Sequence, residues 1–512
     1  MLDQVGNLGG IFGKKELHPL ADAQELKRII AALPKENAFR AVDEIAGWLE
    51  SAQAADQLPI DRLYEATRQF DEAIQPHLRR LCREYLHTPR LSRTEEKRLW
   101  SISHGFWLLL ADTYERCLNA IAAGGRPAEL LKTALPVICA RLIAALAAAL
   151  KWEQFHYGPS ASTIWARLGS ALLRAEAAGV GTRPVQFGGS ISSPVQEYQK
   201  VMVFQAASTD SLLPLEIELA ERLIEHFLSG FVFTAEVQHD CVYWVDLQLA
   251  QPPLRLALMP AAAVPSQRFF KPGPAHAAIC ELLKSLERGD EIPADLKLGA
   301  QYYPRTLIPV LRHLAAYLAP IPPQRRHDRH RVKHRMSVLN GLVNAFVAFS
   351  GEFGGKPAGL QMESWVVDNV SRGGFGAQVN DIPADWLRVG SLVAMQPEGG
   401  ENWLLGIVRR YYRATESDAR VGIETMARHA CSVELRVRAA SSYAAIAGTP
   451  ALLLENRGEP GDVRVVLPPA SFDLQESMEF SIDGRRCLLA PSALLEQTAD
   501  YEVARYQLTR LT

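Results

Sequence analysis

Two stretches of the chain gather the side chains with the most chemistry to offer. The first is Arg325-Arg326-His327-Asp328-Arg329-His330-Arg331-Val332-Lys333-His334-Arg335, where five Arg and one Lys stand against one Asp, a formal +5. A guanidinium is a planar fork that bonds phosphate oxygens in pairs. The same fork matches the O6/N7 edge of guanine, and its face stacks on a purine. Two RxxxR spacings occur, Arg325 with Arg329 and Arg331 with Arg335. The second stretch is Asp368-Asn369-Val370-Ser371-Arg372-Gly373-Gly374-Phe375-Gly376. Asn369 carries amide donors and a carbonyl acceptor, Ser371 a hydroxyl, and Gly374 admits another group close to the backbone. Taken singly, the basic run also suits a solvated linker or a nucleic-acid patch, and the second stretch a plain β-turn.

The elements that must hold these residues follow from periodicity. Trp365 to Val370 is a strand running into the glycines. Just before the basic run, Ala319-Pro320-Ile321-Pro322-Pro323 stops a helix and stiffens an extended linker. After it the chain is β-rich to its end, with strand-like runs at Ser391–Met395, Leu404–Val408, Val421–Glu424, Val433–Val437, Ala451–Leu454 and Val463–Leu467. Before it, residues 20–180 have helical period. Val42, Ile45, Ala46 and Leu49 share one face, and Ser92 with Glu95 forms a capping box. In the middle region, Phe231–Val237 and Val242–Leu247 predict a hairpin around His239-Asp240, and Leu254–Met259 a third extended run.

The expected fold class is multidomain α+β. An α-helical bundle or solenoid spans 1–190, a mixed helical region with a β-hairpin insertion 191–319, a β-barrel 324–430, and a second small barrel or extension of the first 431–512. Of the 512 residues, 48% are hydrophobic and 22% charged, which excludes a largely disordered chain. The net charge of -2 excludes a globally basic nucleic-acid binder. The basic run also lacks the interleaved aromatic residues that single-strand binding needs. Seven scattered cysteines, with no metal-ligand spacing, predict reduced thiols and no structural zinc. The most apolar run, Ala134–Leu150, contains Pro136 and Arg141 and predicts a buried helix rather than a membrane span. With no secretory signal visible, a cytoplasmic protein is expected.

The order of the two stretches resembles the PilZ domain, the bacterial receptor module for cyclic di-GMP. Asn369-x-Ser371-x-x-Gly374 matches its second motif, and the first, RxxxR, fits at either arginine pair. Trp386–Ala394, Leu405–Arg410 and Arg420–Glu424 resemble its later strands. The resemblance covers about residues 324–430. It implies a small β-barrel that binds cyclic di-GMP through Arg325, Arg326, Arg329, Arg331, Arg335, Asn369, Ser371 and Gly374. The arginines would lie on a flexible lead-in that closes over the ligand, and Gly374 would leave room for a base. It further implies a signalling effector with no catalytic residue, no cofactor, no DNA partner and a protein partner for the helical region. A PilZ-like scaffold that binds proteins and no nucleotide is the alternative. An enzyme would have to be built on His239-Asp240, or on His156 with Glu153, and no GxSxG, HExxH or P-loop pattern accompanies either pair.

Overall fold

A computed structural model describes residues 18–55, 57–88, 91–187, 189–259, 262–299, 301–324, 327–350, 361–380, 386–415, 417–438, 448–454, 461–482 and 484–511. The chain forms two compact units. The first takes in residues up to Glu153, Ala161–Ala207 and Glu218–Ile321, and the second Gln154–Ser160, Ser208–Ile217 and Pro322–Thr512.

The first unit is mainly helical. Helix Ala38–Ala54 buries Val42, Ile45 and Leu49. Helix Ile60–His87 buries Leu63, Phe70, Ile74 and Leu81 along the same period. The capping box at Ser92 opens helix Arg93–Ala122, with both reciprocal bonds present. The apolar run becomes helix Leu135–Phe155. Residues 125–155 are long and apolar enough to cross a membrane by length and composition, and 61% of their most apolar window is buried inside the fold. Arg141 enters this core because Asp71 meets it with two bonds, Nε to Oδ2 at 2.7 Å and Nη2 to Oδ1 at 2.9 Å. The Tyr114 hydroxyl donates to the same carboxylate at 2.8 Å. A charge leaves water at tolerable cost only when paired and hydrogen-bonded in this way.

The expected hairpin at 231–247 does not form. Strands Val232–Thr234 and Tyr243–Asp246 both pair with Gln267–Lys271, which lies between them. The third extended run shortens to Leu254–Arg255, followed by a 3₁₀ turn at Leu256–Leu258. Alternating hydrophobicity marked these strands correctly, but pairing depends on a strand further along the chain.

The second unit contains two closed six-stranded barrels. Strands β1 (His330–Asn340), β2 (Glu363–Ser371), β3 (Gly374–Asn380), β4 (Leu392–Pro397), β5 (Leu404–Arg413) and β6 (Asp418–Ala427) form the first, in the order β4-β5-β6-β3-β2-β1 with β1 pairing back to β4. All its pairings are antiparallel. Its core holds Met336, Val338, Trp365, Val367, Ala377, Val379, Val421 and Ile423. A second core cluster joins Leu339, Leu392 and Ile407 of this barrel to Leu452, Leu454 and Val503 of the other, with Leu342 and Ala345 of helix Gly341–Phe349. The second barrel, β7 (Ala430–Val437), β8 (Thr449–Leu454), β9 (Asp462–Leu467), β10 (Met478–Ile482), β11 (Arg485–Gln497) and β12 (Glu502–Arg510), closes on itself. The protein is therefore multidomain α+β, and its last 80 or so residues make a barrel of their own. All seven cysteines are free thiols.

Candidate functional site

Side-chain alternation decides which residues face outward on the first barrel. On β1, Val332 packs against the core and Met336 and Val338 lie in it, so Arg331, Lys333 and Arg335 project from the opposite face. The second half of the basic run is therefore an amphipathic strand, not the flexible lead-in that the resemblance implied. Of the basic run, only residues 327–329 precede the strand among the described residues. Arg325 and Arg326 lie outside the described residues.

Strand register brings the two motifs together. Arg331 pairs with Asn369, and His330 with Val370. A bulge between Arg331 and His334 shifts the next rungs, so that Arg335 pairs with Val366. Arg329 immediately precedes His330 and thus enters the strand beside the end of β2, where Ser371 stands. A Cβ built on Gly373 would lie 3.5 Å from the His327 ring, so residues 327–329 run alongside the turn of the second motif. Arg331 is thus brought beside Asn369, and His327 beside the turn that joins Ser371 to Gly374. Arg335 is led away from them: its Nη1 donates to Ser364 Oγ at 3.2 Å, and its backbone exchanges bonds with Glu398.

The second motif spans the β2–β3 hairpin. Ser371 pairs with Gly374 and Asn369 with Gly376, and the Ser371 hydroxyl donates to the Gly374 carbonyl at 3.3 Å. The Asn369 amide donates to the Asp368 carboxylate. Gly374 does not leave open space for a base, as the sequence reading expected. A Cβ there would run into the Ile423 carbonyl of β6, so glycine is required by close approach of two backbones.

Continuing across the barrel, Gly376 pairs with Gly422 on β6, and Gly422 with Arg410 on β5. One rung therefore reads Arg331, Asn369, Gly376, Gly422, Arg410. The neighbouring rung reads Arg335, Val366, Gln378, Arg420, Tyr412. Because Ala419, Val421 and Ile423 point into the core, Gly422 and Arg420 share the outer face with Asn369. Gly376 and Gly422 carry no side chains of their own, but the Asn369 carboxamide lies over Gly376 and the Arg410 side chain borders Gly422. Arg410 is 3.5 Å from the carboxylate of Asp210, in a segment that belongs to the same unit. Gly376, Gly422, Gln378, Arg410 and Arg420 did not emerge from the sequence as site residues. Their glycines and arginines were visible, but the pairing of β3 with β6 that aligns them was not.

The acid/base pairs considered from sequence have ordinary partners. Asp240 is an exposed carboxylate bonded to Lys271 Nζ at 2.8 Å. The Glu153 carboxylate accepts the Ala161 N–H at 3.2 Å, and His156 Nδ1 lies 3.0 Å from the Gly158 carbonyl.

Comparison with known families agrees with this geometry. Residues 24–236 match the N-terminal domain of the cyclic-di-GMP receptor FimW. Residues 360–431 match the middle PilZ domain of that receptor, a span that holds Asn369, Ser371, Gly374, Gly376 and Gly422. No curated protein matches the chain.

Proposed function

This chain is a PilZ-family protein, and we propose that it is a cyclic di-GMP receptor whose ligand lies on the outer face of the first barrel. The observation that carries the reading is the rung placing Arg331 directly beside Asn369, with His330 beside Val370. The guanidiniums of Arg329 and Arg331 meet the two acceptor classes of the ligand, phosphate oxygens and the O6/N7 edge of guanine. Asn369 and Ser371 supply directional hydrogen bonds to a guanine edge or ribose. Gly374 holds the hairpin close to β6 so that both sit at the right height. Arg325 and Arg326 extend the same cationic run and add to the phosphate grip. Arg335 contributes charge to the face without touching the motif.

The match of residues 24–236 to the same receptor supports an effector in which the helical region carries the output. Contact between the ligand and the segment that leads into β1 reorients that region toward a protein partner. The ligand shifts this equilibrium only by its differential affinity for the two arrangements. The protein acts in the bacterial cytoplasm as a receptor, not an enzyme. Residues 324–430 form the sensing domain in this reading, and 431–512 a barrel that supports it.

Titration calorimetry of the full chain with cyclic di-GMP tests the proposal. Saturable binding that weakens in Arg329→Ala and Arg331→Ala is expected, with protease sensitivity at residues 319–330 falling as ligand is added. Absence of binding heat at any reachable concentration overturns it.

A further inference from the structure

Two short segments from the helical half of the sequence belong to the barrel unit. Residues 154–160 lie where helix Leu135–Phe155 gives way to helix Ser162–Ala177, and residues 208–217 where helix Pro194–Ala206 gives way to helix Pro214–Phe227. The side chain of Tyr157 is buried in the core of the first barrel with Trp365, Val421 and Tyr411. Its ring centroid lies 5.3 Å from that of Tyr411. Its carbonyl accepts the Arg413 N–H at 2.7 Å, at the end of β5. Its hydroxyl donates to the Leu212 carbonyl at 2.9 Å, which ties the second segment to the first. A Cβ on Gly158 would lie 2.7 Å from the Arg413 carbonyl, so the two backbones touch there. Asp210 meets Arg410 of β5 at 3.5 Å.

We propose that these two segments form a strap that seats on the barrel through Tyr157 and carries the state of the barrel to the ends of four helices. This route is separate from the segment that leads into β1. Seating has a clear gain: an aromatic ring leaves water, and its hydroxyl and carbonyl both find partners. It also has a cost. Tyr157 has a φ of +61°, a left-handed conformation that a bulky residue keeps only where its surroundings impose it. Residues held in this way cluster at switching segments. The Asp210–Arg410 pair is partly exposed, and such pairs contribute little. The ring of Tyr157 is therefore the main anchor, and changes in the barrel wall around Tyr411 shift the balance between seated and released strap. On release the two segments come away together, because the bond from Tyr157 to Leu212 joins them. The ligand enters this argument only through the receptor reading: cyclic di-GMP seats the strap by as much as it prefers the seated barrel.

The test is hydrogen exchange of the full chain, read peptide by peptide, for wild type, Tyr157→Phe and Tyr157→Ala with and without cyclic di-GMP. Tyr157→Phe keeps the ring and removes the bond to Leu212. Without ligand it is expected to speed exchange about threefold in residues 208–217 and to leave 154–160 near wild type. Tyr157→Ala is expected to speed exchange about tenfold or more in both segments, with the β2–β3 hairpin still protected. Should Tyr157→Ala unfold the barrel, Tyr157→Phe carries the test, and unchanged exchange in 208–217 of that variant overturns the strap. At saturating ligand, wild type is expected to exchange about threefold more slowly in both segments and in the hairpin, and Tyr157→Ala in the hairpin alone. Protection of the wild-type hairpin with none in 154–160 and 208–217 makes the segments a fixed tie: the strap is overturned and the receptor reading stands. No ligand protection anywhere, together with no binding heat, overturns the receptor reading and the signalling role of the strap with it.

Discussion

The carboxamide of Asn369 occupies the space that a side chain at Gly376 would need. The obstacle to a larger residue there is a rotatable amide, not a backbone. Gly376→Ala is therefore expected to turn Asn369 out of its place while the barrel stays folded. Loss of its hydrogen bonds weakens cyclic di-GMP by about 1 kcal/mol, roughly fivefold, with little change in melting temperature. Calorimetry and a thermal melt on one sample check both halves.

Gly374 gives the opposite pattern. Its missing Cβ faces the Ile423 carbonyl, which cannot rotate away without breaking the β3–β6 ladder. Gly374→Ala is expected to destabilise the barrel by about 1–3 kcal/mol, the usual range for overpacking. A lower denaturant midpoint, present even without ligand, is the readout; an unshifted midpoint would place the role of Gly374 at the ligand.

The two arginines of the second RxxxR pair are expected to separate. Arg331→Ala removes a charged donor beside Asn369 and costs about 1.5–3 kcal/mol of binding, roughly ten- to a hundredfold. Arg335→Ala, on β1 opposite Val366, three residues along β2 from Asn369, is expected to change affinity less than threefold. Equal losses in the two titrations would show that the ligand spans both rungs on β1.

How much of this was legible in the sequence depends on the range of the interaction. The helices, the proline boundary and most strands followed from local period, and the capping box at Ser92 from four residues. The Asn369–Ser371–Gly374 motif was legible because the hairpin that holds it is local. The strand character of 330–335 was written in the alternation of Val332, His334 and Met336 with charged residues, but the density of arginines masked it. Helix Gly341–Phe349 passed unread because a nine-residue segment whose one polar side chain is Asn344 shows little periodicity when neighbouring barrels cover much of its surface. The alignment of Gly376 with Gly422, and so the position of Arg420, depends on β3 pairing with β6 rather than β4. No local signal encodes that choice.

The last prediction concerns the helical unit and acid. Lys151 is buried against two carboxylates, Glu218 at 2.8 Å and Glu221 at 2.5 Å, and Arg222 bonds Glu218 from the other side at 2.9 Å. Burial alone would raise the Glu218 carboxyl, but Lys151 and Arg222 outweigh it and hold it well below the usual carboxylate range. A group whose folded value is depressed gives stability that is whole above its unfolded value, about 4.3 for glutamate. That stability is lost as pH falls through the lower, folded value. Lys151 is shifted the other way: burial lowers it, but the two glutamates raise it well above the ordinary lysine value, so its contribution persists through neutral pH and fades only in strong alkali. Glu218→Gln keeps the shape and removes the charge, while Glu221 still neutralises Lys151. The substitution is expected to cost roughly 3 kcal/mol at pH 7, the low end for breaking a buried pair. The gap between wild type and variant is expected to hold from pH 7 to about 5 and to narrow steadily toward pH 3. Urea unfolding of the full chain at pH 7, 5, 4 and 3, followed through the helical signal, reads it directly. A gap that stays constant down to pH 3 would mean that Glu218 is not held ionised by Lys151 and Arg222.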